Sequence, residues 1–214
     1  MNALLKKSIA EFVGVTVFLT AITAGANNGL KPFTVALALG LMILLTGGVS
    51  GGHLNPAVSL FFYARKEITL GNLLAYIAAQ LAGAFAGASL GALLTGTTNK
   101  SFVATGGSIA TMAIASEVVA TAGLVWIIGT LVQNKLGNLI PVAVAAWIVT
   151  AASFTSTGAQ ANPAVTFGLM VQGSWPTNFG SALIVAQIGG VLLAILLLML
   201  FAPKAKKTAT KKKN

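Results

Sequence analysis

The chain has 214 residues, of which 56% are hydrophobic and only 7% charged; a soluble domain carries about 25% charged residues, so the solvent of this protein is a bilayer. The net charge of +10 does not point to nucleic acid, because six lysines crowd into the last segment, PKAKKTATKKKN, where such a run beside a membrane span acts as a solvated anchor and suits anionic lipid. Cysteine is absent, which excludes a disulfide frame, a thiolate metal site and a nucleophilic thiol.

The first apolar run covers residues 9–26, after Lys6 and Lys7 and with Glu11 inside it. Its length fits a retained span better than a cleaved signal segment. Five more runs follow at 32–48, 70–94, 105–132, 139–154 and 178–202, and a span needs about 20 apolar residues. Two stretches, 53–63 and 161–170, are apolar but too short to cross. An even number of spans puts both termini on one side. With that side cytoplasmic, it holds Lys6, Lys7, Arg65, Lys66, Lys135 and the six tail lysines, and only Lys31 and Lys100 face out. This is a positive-inside bias, and it predicts a multi-pass protein of the cell membrane with cytoplasmic termini.

The two halves repeat each other. Asn162 follows Asn55 by 107 residues, Gln187 follows Gln80 by 107, and Glu117 follows Glu11 by 106. Small residues share the offset: Ala79, Gly83 and Gly87 recur as Ala186, Gly190 and Ala194. Each half has three spans, an odd number, so the second must sit upside down relative to the first, as in inverted-repeat transport proteins whose site lies near the midplane. The chain reads as one membrane domain over 1–202, with repeats near 5–98 and 105–202, and a Lys-rich cytoplasmic tail over 203–214. Gly83, Gly87 and Gly91, four apart, predict close helix contact.

The two short stretches carry the chemistry. In SGGHLNPAVSL and TGAQANPAVTF, Asn is a preferred helix cap and the Pro after it suits the first helical position. Asn55-Pro56-Ala57 and Asn162-Pro163-Ala164 therefore predict two half-helices of about nine residues, each about 13 Å long. Two end to end match the ~30 Å hydrocarbon core. If each Asn carbonyl caps its own helix, the amide NH₂ is free to donate into a pore. The two positive helix ends would then repel cations at the midplane.

Over residues 5–202 the chain resembles the aquaporin, or major intrinsic protein, family. The residues that carry the likeness are Ala10-Glu11-Phe12, Ser50-Gly51-Gly52-His53-Leu54-Asn55-Pro56-Ala57-Val58, Glu117-Val118-Val119-Ala120-Thr121, Thr157-Gly158 and Asn162-Pro163-Ala164. The resemblance implies an all-α membrane protein: a right-handed bundle of six transmembrane helices with two re-entrant half-helices in an inverted 3+3 repeat. It also implies a homotetramer with a pore in each protomer and passive flow of water or small neutral solutes. In the family the acids that match Glu11 and Glu117 accept hydrogen bonds from the re-entrant loops, so both are expected to support those loops rather than relay protons. His53 is expected to pack beside the pore. No second His and no Cys or Asp exists to complete a metal site, and no cofactor is expected.

One departure from the family pattern is informative. Members usually continue the second motif as Asn-Pro-Ala-Arg, where the Arg narrows the pore; here that position is Val165, and the one Arg, Arg65, belongs to the cytoplasmic side. Counting from the motifs places the remaining filter positions at Thr150, Ala159 and a residue of the second span. Equal spacing gives Val35 for the last, and local likeness gives Leu39. A filter without Arg or His predicts a wide, apolar pore for solutes with a hydrocarbon face: glycerol-like polyols, with urea and uncharged or methylated metalloids as further expectations. The competing class is an ion- or proton-coupled carrier, which also uses inverted repeats and intramembrane acids. An enzyme has no candidate, since no nucleophile–base pair can be assembled.

Overall fold

The computed structural model describes residues 1–25, 30–99 and 110–201. Lys100 and the lysine tail lie outside these, as does the first part of the run at 105–132. Among the described residues eight α-helices follow one another: α1 Ala3–Ala24, α2 Lys31–Ser50, α3 Pro56–Ala64, α4 Leu70–Thr95, α5 Thr111–Gln133, α6 Ile140–Phe154, α7 Pro163–Gln172 and α8 Thr177–Leu200. A 3₁₀ turn, Gly137–Leu139, leads into α6. Among the described residues no strand is present. Counting that turn as part of the fifth span, six helical segments of the described residues are long and apolar enough to cross a membrane; α3 and α7 are the two half-helices.

Local chemistry sets the ends. Asn2 accepts from the Leu4 N–H and starts α1 earlier than the apolar pattern alone suggests. Thr69 caps α4 in the same way through Asn72 N. Pro at the second position opens α2 and α6, where its missing N–H costs nothing. Hydropathy places such ends only loosely, because caps are polar and lie outside the run it detects.

The inverted repeat is visible as paired packing. α1 lies along α4 and α5 along α8, while α2 meets α6 between the halves. The pairs close at small residues. A Cβ on Gly83 would stand 2.5 Å from the Phe12 carbonyl oxygen, and one on Gly87 2.6 Å from that of Thr16. In the second half a Cβ on Gly190 would stand 2.7 Å from the Val118 carbonyl oxygen. Backbones this close exchange weak polar contacts as well: the Thr20 and Thr23 hydroxyls reach the Gly87 carbonyl at 3.3 and 3.4 Å. In lipid no hydrophobic force presses helices together, so close backbone approach is what holds them. The outer surface is accordingly apolar, with Leu37, Leu41, Leu44 and Leu45 of α2 all exposed.

Gly87→Leu should wedge α1 from α4 and lower stability by about 1–3 kcal/mol or more, measured by thermal melting in detergent. Gly71→Leu, where a Cβ meets only the Thr69 hydroxyl at 3.8 Å, should stay within about 0.5 kcal/mol.

Candidate functional site

Two loops fold back into the bundle to bring α3 and α7 together. The first begins where α2 stops: Gly51 and Gly52 take φ of 92° and 61°. A side chain at 52 would meet the Ile43 carbonyl oxygen at 2.9 Å, so glycine is required there for both space and angle. Just before each capping Asn stands a residue in the left-handed region, Leu54 at φ 50° and Ala161 at φ 47°. That conformation costs an L-residue about 1–2 kcal/mol, so something must hold it.

The holders are Glu11 on α1 and Glu117 on α5, both fully buried. Glu11 Oε1 accepts from the Ser50 hydroxyl at 2.6 Å and the His53 N–H at 3.0 Å. Its Oε2 accepts from the Leu54 N–H at 2.6 Å and the Gln80 amide at 2.7 Å. Glu117 repeats the set. Oε1 accepts from the Thr157 hydroxyl and the Gln160 N–H, and Oε2 from the Ala161 N–H at 2.8 Å and the Gln187 amide at 2.6 Å. Gln80 and Gln187 donate their second N–H to Ser59 and Thr166 on the half-helices, at 3.0 and 2.9 Å. Hydrogen bonds to a carboxylate run about 1.5–3 kcal/mol each, enough together to outweigh the local strain.

With the N–H of Leu54 and Ala161 turned to the acids, their carbonyls face the opposite loop. Asn55 Nδ2 donates to the Ala161 carbonyl at 2.8 Å, and Asn162 Nδ2 donates to the Leu54 carbonyl at 2.9 Å. Each Asn Oδ1 caps its own half-helix, through Ala57 N at 2.8 Å and Ala164 N at 2.9 Å. The expectation of a wholly free NH₂ is therefore corrected: one of its two N–H groups locks the loops together, and one remains beside the lumen. Pro56, Pro163, Ala57 and Ala164 are buried behind the Asn pair and open the two helices.

Both Asn residues line a cavity of about 460 Å³ that runs between the repeats. Val35, Leu39, Ala159 and Val165 line it too, and Val165 is only 1% exposed. Val35 and Leu39 need not compete, because they are successive turns of one ridge that continues to Ile43. Thr150 is a correction. It lies on the exposed side of α6 with its hydroxyl turned back to the Ala146 carbonyl at 2.9 Å. The lumen side of α6 is Val144, Ile148 and Ala152, four apart, and Thr150 is half a turn away from both Ile148 and Ala152. Counting residues back from the motif fixed a position without fixing the helix phase. The opposite wall, Leu124 and Ile128 on α5, and Phe18 on α1, was also missed. These residues carry no signal that separates a lumen face from a lipid face, since both are apolar.

His53 lines the cavity as well. Its Nδ1 is 3.1 Å from the Ser59 hydroxyl, and its ring stacks on Phe62 with centroids 4.5 Å apart. Among the described residues no group of three potential metal ligands occurs. The arrangement is one continuous cavity with a polar station at the Asn pair and apolar walls on either side.

Known proteins match this chain over most of its length. Residues 1–159 and 130–214 match the family described as Major intrinsic protein. A probable aquaporin of TIP type from Medicago truncatula is 32% identical over 219 residues, covering 90% of this chain and 87% of that protein. The aquaglyceroporin of Toxoplasma gondii is 31% identical over 202 residues, covering 89% and 76%. Among solved structures, the aquaglyceroporin from Plasmodium falciparum shares the fold, with a TM-score of 0.72 at 23% identity over 94% of this chain and 98% of that one.

Glu117→Gln would set its NH₂ group against the N–H of either Gln160 or Ala161, because these donate to different oxygens of the carboxylate and only one of the two is replaced. A buried donor without a partner costs about 1–3 kcal/mol, so the variant should lose folded yield and melt early in detergent. Solute flux per folded molecule should keep the pH profile of the natural chain. A carrier relaying protons through Glu117 would instead keep its fold and lose a steep pH dependence.

Proposed function

The chain belongs to the major intrinsic protein family, and from that premise we propose that it is a passive channel conducting water and small uncharged solutes, glycerol-like polyols above all, while excluding ions. The family's members are channels and not enzymes, and the six spans make this a multi-pass membrane protein. The observation that carries the finer reading is the lumen itself. Val165, Ala159, Ala152 and Ile148 line one continuous cavity with the Asn pair, so its walls are small and apolar where the family pattern places an Arg.

A polyol or urea needs both faces of such a path. Its carbon side can lie against Leu39, Leu124, Val144 and Ile148, while its oxygens turn to the Asn amides and loop groups. Ions meet a different balance. The apolar walls cannot replace a hydration shell, and two half-helix N-termini converge on the midplane, each with about half a positive charge. The carrier reading loses its basis here, because both intramembrane acids are spent holding loops. The same reading includes a cell-membrane location with cytoplasmic termini, from the lysine distribution, and a homotetramer.

The test is stopped-flow light scattering on reconstituted vesicles, comparing water, glycerol, urea and arsenous acid. Glycerol should pass readily; a water-only profile would overturn the polyol assignment. Val165→Arg should put a guanidinium across the lumen and cut glycerol flux by about tenfold, a barrier of about 1.4 kcal/mol, with water flux falling less. An unchanged glycerol-to-water ratio in correctly assembled protein would remove Val165 from the filter. At the midplane, Asn55→Asp or Asn162→Asp should admit sodium, since a carboxylate would offset the converging helix ends. Sodium leak equal to that of the natural chain would count against the ion-exclusion account.

A further inference from the structure

We propose that Lys31 is a specificity-determining residue of this channel, a fixed positive charge at one mouth of the lumen that repels cations before they reach the midplane. The inference rests on the conducting path proposed above and adds a residue to it. Lys31 lines the same cavity as the Asn pair. It heads the ridge Lys31, Val35, Leu39, Ile43, and with ~1.5 Å per residue it stands ~6 Å above Val35 and ~18 Å above Ile43. Thr157, Gly158 and Ala159 of the second re-entrant loop line the cavity with it. Among the described residues that line the cavity, Lys31 alone is a lysine, arginine or acid.

The chain offers no acidic side chain to neutralise it. It contains three acidic residues in all. Glu11 and Glu117 are fully buried and accept from the loops, and Glu67 pairs with Arg65 in the turn after α3. The position does not serve the helix either, since a cation in the first turn opposes the dipole. Its side chain is only partly exposed, and apolar walls of low dielectric focus a charge into the lumen instead of letting water screen it. The reach of such a charge is about 8–10 Å at physiological salt, enough to cover the mouth. Where the family pattern sets a cation deep in the filter, this chain has Val165 there and Lys31 further out. A wide path for neutral solutes and a charge barrier are thereby separated along the pore.

The absence of cysteine gives a clean test. Lys31→Cys creates a unique thiol that can be modified after folding, in reconstituted vesicles, with methanethiosulfonate reagents of opposite charge. A trimethylammonium label restores the positive charge and a sulfonate label inverts it, at similar bulk. Sodium leak should be higher with the sulfonate by at least about tenfold, the scale of a focused mouth charge, while glycerol flux falls to a similar extent with either. Equal sodium leak with the two labels overturns the proposal. So does glycerol flux untouched by either label once mass spectrometry shows full modification, since the residue would then stand off the path. Lys31→Glu against Lys31→Arg repeats the comparison without labelling: the Glu variant should leak more sodium, and equal leak again overturns the role. A natural chain that conducts neither water nor glycerol would instead sink the channel reading on which this one rests.

Discussion

Everything in the pore depends on a carboxylate that is never exposed to it. A re-entrant loop at the middle of a bilayer has backbone groups with no water to satisfy them, and at Leu54 and Ala161 it also has an unfavourable backbone angle. Glu11 and Glu117 solve both problems with one group each, because a carboxylate offers two oxygens and room for four donors. Each takes two loop N–H groups, the hydroxyl of Ser50 or Thr157, and a glutamine amide. The price is a buried acid in each half, tolerated because every lone pair has a partner. With the N–H groups of the loop tied to the acid, its carbonyls point the other way, toward the Asn of the other repeat. The position of the pore's polar station is thus decided behind its wall.

The same logic explains which parts of the molecule were legible in the sequence. Rare polar residues in an apolar chain must be satisfied, so Glu11, Glu117, Gln80, Gln187 and the two Asn residues stood out, and their shared offset gave the inverted repeat. The half-helices followed from Asn caps and Pro at the first helical position. Thr150 fell on the wrong side for the converse reason. A threonine in a helix satisfies its hydroxyl on the carbonyl four residues back, so it can sit on an apolar outer face at little cost and does not report a lumen. Along α6 every other residue but Ser153 is apolar, and a helix apolar on nearly all sides carries little phase. The cross-bonds between Asn55 and Ala161, and between Asn162 and Leu54, were not legible either. They depend on a left-handed turn at two ordinary residues that no composition rule singles out.

Selection in this lumen is a matter of subtraction. A polar pore of this width would hold solutes through several hydrogen bonds at once and release them slowly. Here the hydrogen-bonding groups are confined mainly to the Asn pair and the loops beside it, and the rest is aliphatic. A solute is therefore oriented more than it is bound, which favours throughput over affinity. Close packing at Gly83, Gly87 and Gly190 keeps the supporting helices from yielding, so the shape of the path is set by backbone and not by side chains that change rotamer.

The reciprocal Asn bonds also bear on how the protein is made. The partner of the Leu54 carbonyl lies 108 residues later in the chain, a separation that takes roughly 5–20 s to synthesise. For that interval the first three spans can already be in the bilayer while their re-entrant loop lacks its counterpart. The first repeat satisfies its own loop N–H groups through Glu11, but the Leu54 carbonyl has its donor in the second, so that group must be met by water or another donor until the second half arrives. Biogenesis of this fold is an act of late pairing, and variants that slow insertion of the second half should be read as assembly defects before they are read as transport defects.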